Sequence, residues 1–293
     1  MQNDNAVYHV PVMLKEVEKY LVNNLSGTYV DGTIGGGGHS RYLLEKYPEI
    51  KIIGLDRDID ALSKSKKELE IFKERITFAK SNFKDFTEVL DSLQIKSISG
   101  ILLDLGVSSH QIDDIERGFS FLSTCLDMRM DKEQNKSALD VLKLCTQEEL
   151  SDIFYKYGEE RFSRKISRRI KENISSINSA KDLADIVGGA KRREGKIHPA
   201  TKVFQALRIS VNDELINITE ALNKIPGCLE KGGRAVVLSY HSLEDRIVKN
   251  NFRDLYKTGV YNLLTKKIVT PDFEEVKINP RSRSAKLRAA EKA

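Results

Sequence analysis

Residues 31–39 read Asp-Gly-Thr-Ile-Gly-Gly-Gly-Gly-His, and no other stretch constrains the fold as tightly. Four consecutive glycines forfeit backbone entropy on folding, so they persist where the chain needs positive φ or where a ligand must reach bare backbone. A short apolar segment, Tyr29 and Val30, leads into Asp31, and a helical stretch follows from about residue 40 to 47. Strand, glycine loop and helix in that order open several nucleotide-binding α/β folds. A loop that is merely flexible is the competing reading.

The pattern then repeats. Residues 51–56 (KIIGLD) read as a buried strand ending in an acid, residues 60–72 as a helix and residues 75–79 as a third strand. Residues 100–104 (GILLD) have the continuous apolar character of a central parallel strand. Residues 234–240 (RAVVLSY) form a fifth, after the turn signal Lys231-Gly232-Gly233. Strands alternating with helices predict an α/β fold with a mostly parallel, doubly wound, Rossmann-like sheet. About 130 residues separate the fourth strand from the fifth, far more than a crossover needs. That gap carries helix starts: Thr146 to Glu149 is a capping box ahead of Leu150, Ile153 and Phe154, and Ser179 to Asp182 is another. The expected organisation is a discontinuous sheet domain, residues 1–110 with 211–293, and a helical insertion domain over 111–210.

Composition narrows the class. No apolar run approaches the ~18 residues of a membrane span, and the N-terminus lacks a secretory signal pattern. Cys125, Cys145 and Cys228 are scattered, so neither a disulfide framework nor a cysteine-held zinc is expected. Among His9, His39, His110, His198 and His241 no two stand at i, i+4, so no metal is expected either. A cytoplasmic protein without a membrane partner fits these features.

The acids at the strand ends select the ligand. Asp56 stands 25 positions after Asp31, where a carboxylate can accept both ribose hydroxyls of an adenosine. Asp31 itself would repel a pyrophosphate but suits a sulfonium and an ammonium group. S-adenosylmethionine is therefore favoured over a dinucleotide.

The segments DGTIGGGGHS, GLDRD, GILLDLGVSS, ERGFSF, LDMRMD, YGEERF, HPATKVFQALRI, SYHSLEDRIVK and RSRSAKLRAAEK together resemble the bacterial 16S ribosomal RNA cytosine-N4 methyltransferase family, over nearly the whole chain. The resemblance implies a class I methyltransferase fold and methylation of a cytidine in the decoding region of the small ribosomal subunit, by a monomer or homodimer. It implies cofactor contacts at Gly37, Gly38 and His39, Asp56 on the ribose, Phe83 beside the adenine, and Asp104 and Gln111 near the methionine end. Phe83 offers a flat apolar face for a purine, or equally a core aromatic.

A cytosine amino group is a poor nucleophile because its lone pair is delocalised into the ring. An enzyme helps by accepting its hydrogen bonds and holding it in line with the methyl group. Many amino-methyltransferases use an acid or amide, two prolines and an aromatic after the fourth strand; this chain has Asp104-Leu105-Gly106-Val107-Ser108-Ser109 instead. Asp104 and nearby loop carbonyls are the first candidates. Ser108 can offer a hydroxyl or cap a helix. His241 can relay the departing proton or make a structural hydrogen bond. Phe119 and Phe121 can stack on an extruded base or pack in a core.

Basic residues suggest an RNA-facing surface. In a helix over residues 160–171, Arg161, Arg164, Lys165 and Arg168 share a face, with Phe162, Ile166 and Ile170 on another. Lys191, Arg192, Arg193 and Lys196 make a basic loop, and Arg281, Arg283, Lys286 and Arg288 a further cluster. Such groups position RNA through its phosphates. A methyltransferase for a small molecule or protein, and a non-catalytic RNA-binding assembly factor, are the rival functions.

Overall fold

The computed structural model describes residues 11–191 and 198–293; His9 and Arg192, Arg193 and Lys196 of the expected basic loop lie outside them. The chain divides into two compact units, one of the residues up to 106 together with 215–293, the other of residues 107–214.

The first unit is built on strands β1 (Thr28–Asp31), β2 (Lys51–Asp56), β3 (Ile76–Lys80), β4 (Ile98–Asp104), β5 (Leu229–Ser239), β6 (Tyr261–Leu263) and β7 (Lys286–Lys292). They form one sheet in the order β3-β2-β1-β4-β5-β7-β6. Strands β1 to β5 are parallel, and β7 is antiparallel to both its neighbours. The sheet is the expected mostly parallel, doubly wound one. Its central strand shows why the apolar run had to be continuous. Ile101 and Leu103 join Ile218, Leu222 and Val248 in the core on one face, while Leu102 joins Val17, Leu44 and Leu62 on the other. Each large apolar side chain so buried contributes about 1.5–3 kcal/mol. Helices α1 (Leu14–Leu21), α2 (Gly38–Lys46), α3 (Ile59–Glu68) and α4 (Phe86–Ser92) belong to this unit.

The second unit holds α5 (Ser109–Asp113), α6 (Ala138–Leu144), α7 (Gln147–Gly158), α8 (Ser163–Glu172), α9 (Ala180–Ala190) and α10 (Thr201–Asn212). Both expected capping boxes start helices: Thr146 caps α7 with Glu149, and Ser179 caps α9 with Asp182. Leu150 and Phe154 of α7 then bury in a core with Ile166, Ile170, Leu183 and Leu207. Phe119 and Phe121 pack against that core, and Phe121 stacks on His198 at 4.4 Å and meets Phe204 edge-on. Core packing is thus their observed role. Helix α11 (Glu214–Cys228) returns the chain to the sheet, followed by α12 (Ser242–Lys257) and α13 (Phe273–Ile278).

Three sequence expectations are corrected. Lys231-Gly232-Gly233 interrupts the fifth strand rather than preceding it: β5 begins at Leu229, residues 230–233 then face Ser99 alone with Gly232 at φ +78°, and regular pairing with β4 resumes at Arg234. A bulge of this kind lets a strand continue through glycine. Lys286 and Arg288 are not part of a loose basic cluster. They lie in β7, where Arg288 Nε holds Asp245 Oδ1 at 2.7 Å in a largely buried pair. Finally, Phe162 is 43% exposed and only Ile166 and Ile170 face the core, because α8 begins at Ser163 and Phe162 is its N-terminal flank.

Candidate active site

Parallel register brings the acids to one edge. Asp31 sits opposite Gly54 and Leu102, Asp56 opposite Lys80, and Asp104 opposite Leu238. All three therefore end their strands at the carboxyl edge. Between β1 and β4 the strand order reverses, which is where open α/β sheets bind ligands.

The glycine loop is tied to both neighbouring strands. Gly32 N–H donates to Leu102 O and Ile34 N–H to Leu55 O, each at 2.9 Å. Gly35 and Gly37 have φ of +50° and +80°, a region that penalises any side chain with a Cβ. A Cβ on Gly38 would lie 2.3 Å from Pro11 Cγ, whereas one on Gly36 would meet nothing within 4 Å among the described residues. Packing thus gives Gly37 and Gly38 a structural reason, and Gly36 is the position left open for close approach. Asp56 braces the loop: its Oδ2 accepts from Gly35 N–H and its Oδ1 from Asp58 N–H, both at 2.9 Å. Burial nevertheless pushes the Asp56 carboxyl up to about 6, outweighing those two backbone bonds.

Behind the loop lies a chain of polar contacts. Asp31 is only 5% exposed, and its Oδ2 accepts from Ser40 Oγ at 2.6 Å. His39 Nε2 is 2.9 Å from Val12 O. A carbonyl can only accept, so Nε2 carries the hydrogen, leaving Nδ1 facing Asp104 Oδ2 at 3.9 Å. Tyr240 donates its hydroxyl to Asp104 Oδ1 at 2.7 Å, and Asp104 N–H donates to Thr33 Oγ1 at 2.7 Å. Burial raises both carboxyls above the ordinary range. His39 and Tyr240 partly offset this at Asp104, and Ser40, His39 and Thr33 N–H do so at Asp31. Burial and the neighbouring Asp104 hold the Tyr240 hydroxyl well above its usual value, so it remains a donor. Asp31, buried, and Asp104, half-buried, both resist ionising alone, and such a pair is a natural receptor for a cation.

The other sequence candidates fall as follows. Phe83 is half-buried, opens a short 3-10 turn and stands against Gly32, whose Cβ would be 3.2 Å from Phe83 Cβ. His241 is the N-cap of α12: its Nδ1 accepts from Glu244 N–H at 3.3 Å, and its Nε2 lies 3.1 Å from Glu244 Oε1. Glu244 is fully buried and its Oε2 accepts from Tyr240 N–H at 2.7 Å. The structural reading of His241 therefore has the geometry in its favour. Ser108 and Gln111 belong to the helical unit and cap α5 reciprocally: Ser108 Oγ accepts from Gln111 N–H, and Gln111 Oε1 from Ser108 N–H. Sequence reasoning missed Thr33, Ser40 and the Val12 carbonyl. Ser40 was within reach of a topological inference, since a strand-loop-helix turn folds the first helical turn back over the strand end.

The chain matches the model of the MraW methylase family over residues 6–293. It is 51% identical over 288 residues to the ribosomal RNA small subunit methyltransferase H of Endomicrobium trichonymphae, a match covering 98% of this chain and 99% of that one. The proteins of the same name from Syntrophus aciditrophicus and Persephonella marina are 47% and 48% identical, covering 97% and 98% of this chain and 98% and 99% of theirs.

Proposed function

The chain belongs to the MraW methylase family, and from that premise we propose that it moves a methyl group from S-adenosylmethionine to the N4 amino group of a cytidine in the 16S RNA of the small ribosomal subunit, in the decoding region. The observation that carries the reading is the pair of carboxylates, Asp31 buried and Asp104 half-buried, on adjacent strand ends beside the glycine loop.

The donor set fits S-adenosylmethionine. Asp31 and Asp104 would face its cationic end, Gly36 would let its backbone-facing side approach, Asp56 would accept from its ribose hydroxyls, and Phe83 would flank the adenine. When bound, the group supplies a methyl on a positively charged sulfur, which an amine displaces in line. Asp104 is the candidate acceptor for the N4 hydrogen bonds. Tyr240 fixes one of its oxygens, which orients the other without a search through rotamers. Ser108 and His241 stay second candidates, the one as a hydroxyl, the other as a proton relay. Labelled methyl transfer tests the proposal: assembled small subunits should accept label well above naked RNA or other cell components. Label appearing only in a small molecule or a protein would refute it.

Cofactor affinity should fall in acid. The folded-state carboxyl of Asp56 sits near 6, above its unfolded value near 3.9, so the folded chain holds the proton more tightly. Stability therefore declines as pH rises from about 4 to about 6. The ribose hydroxyls need the ionised form, so affinity runs the other way. Calorimetry should show a plateau above pH 7 and a loss of about tenfold per pH unit below 6. A flat profile from pH 8 to 5 would contradict the ribose assignment.

The helical unit supplies an RNA contact in this reading. Arg164, Lys165, Arg168 and Arg169 of α8 are exposed, while Lys171 Nζ instead binds Leu142 O at 2.8 Å. Among the described residues Arg168 has a 3.8 Å surface pair with Glu172, worth about 0.3–0.5 kcal/mol. Lys191 is not available, since its Nζ is held at 2.8 Å by the buried Glu160. Reversing Arg164 and Arg168 to Glu is expected to weaken RNA binding at least about tenfold and flatten its salt dependence, with cofactor affinity unchanged by titration.

A further inference from the structure

Between β6 and β7 the chain makes an excursion, residues 264–285, that the pocket chemistry does not use. Its place follows from the register. Lys286, the first residue of β7, pairs with Ser239, the last of β5, so the excursion emerges at the edge that carries Asp104 and Tyr240. Glu275 of α13 accepts from Met13 N–H at 2.7 Å, and its charge is felt by Tyr240, as that of His39 is felt by Glu275. Helix α13 therefore borders the acid pocket.

What it presents there is unusual. No residue of α13 is buried, and Phe273 and Ile278 are 78% and 72% exposed. A helix of one and a half turns cannot be held by its own sequence, and this one is moored by Glu275 and by the following turn, where the buried Ser282 donates to Asn279 O at 2.8 Å. Lys277, Arg281 and Arg283 are exposed on the same segment, which carries five basic residues against three acidic ones. Of those acids, Glu275 is occupied by Met13 N–H and Asp272 by Glu275 N–H. The pocket it borders has the opposite sign, with Asp31 and Asp104, and would repel a polyanion unaided.

We propose that this excursion is a second RNA-docking surface, on the rim of the methyl-donor pocket, where Phe273 stacks on a base flanking the target cytidine and Lys277 and Arg283 neutralise its phosphates. An exposed aromatic beside cations is the combination that holds single-stranded nucleic acid without reading its sequence. The proposal rests on the RNA reading above and adds to it where the substrate strand crosses the sheet unit.

The test uses the full chain, Phe273→Ser and the double variant Lys277→Glu with Arg283→Glu, and a fluorescent small-subunit RNA fragment containing the target cytidine. Both variants should bind S-adenosylmethionine within about twofold of wild type by calorimetry. The double variant should bind RNA at least about tenfold more weakly, with a salt slope lower by roughly 1.4, two single-strand phosphate contacts. Phe273→Ser should bind about fivefold to a hundredfold more weakly with the slope unchanged. Unaltered RNA affinity in both overturns the proposal, as does a change of sedimentation coefficient in Phe273→Ser, which would assign the patch to a second copy of the chain. RNA affinity is read directly, so a wild-type protein that binds the fragment but methylates something else refutes the function above and leaves the rim measurement valid.

Discussion

Replacing Asp104 by asparagine should lower kcat/KM for methyl transfer by about a thousandfold while the protein stays folded. The substitution keeps shape and removes charge. Asparagine can still accept from the Tyr240 hydroxyl, and its amide nitrogen can sit where Oδ2 stands, 3.9 Å from His39 Nδ1 and beyond hydrogen-bond reach, so the contacts at 2.7 and 3.9 Å need no rearrangement. In the proposed reaction what disappears is the negative charge that would face a cationic donor and a nitrogen that becomes positive as it is methylated. Loss of one preorganised electrostatic contact in a dry site costs about 10²–10³ in rate, and weaker cofactor binding adds to that. Stability should move the other way. Burial raises the Asp104 carboxyl above the ordinary range, so the folded state prefers it protonated and ionised Asp104 destabilises the fold at neutral pH. Asp104→Asn should therefore melt no lower than wild type at pH 7.5, and any advantage should shrink as pH falls through the folded-state value. Single-turnover methyl transfer beside calorimetric melting reads both. Activity within tenfold of wild type would remove Asp104 from the chemistry.

That opposition between function and stability explains which parts of the molecule were legible in the sequence. The sheet was readable because burial on both faces forces unbroken apolar runs: Ile101, Leu102 and Leu103 serve two cores at once. The acids at 31, 56 and 104 were readable because each interrupts such a run where the strand must end. Strand β7 was not. Lys286–Lys292 is rich in alanine and charge, and it is a strand because β5 and β6 offer it partners and Asp245 holds Arg288; tertiary pairing overrides its local preference. The partners of the acids were hidden for a related reason. Ser40 reaches Asp31 across nine positions, and His39 takes its tautomer from Val12, 27 positions upstream. Neither separation leaves a periodic trace, because both are closed by a loop whose path depends on left-handed glycines. The basic residues were over-read: charge is visible in a sequence, but the pairing of Lys191 with the buried Glu160 and of Arg288 with Asp245 is not.

The second large effect falls in the helical unit. Gly158→Val should destabilise that unit by about 3 kcal/mol, the upper end of what overpacking costs. Gly158 is the last residue of α7, where the helix crosses α10. A Cβ there would lie 2.5 Å from the carbonyl oxygen of Lys202 and 3.3 Å from Ala206 Cβ. The nearer contact is backbone, so no rotamer change relieves it and the helices must part. Parting them also breaks the C-terminal caps of α7, because Gln205 Nε2 donates to Tyr157 O at 3.1 Å and Lys202 Nζ to Glu159 O at 2.8 Å. Gly188→Ala in α9 is the matched control. That glycine is exposed, its Cβ would meet nothing within 4 Å among the described residues, and its φ is not positive. Removing a glycine from a helix there should stabilise by roughly 0.5–1 kcal/mol. Scanning calorimetry should show one variant melting on the order of 10 °C lower and the other slightly higher, with S-adenosylmethionine affinity kept in both below the melting range, since neither position belongs to the sheet unit that holds the pocket. Equal melting temperatures for the two variants would mean that the α7–α10 crossing is looser than its 2.5 Å approach implies.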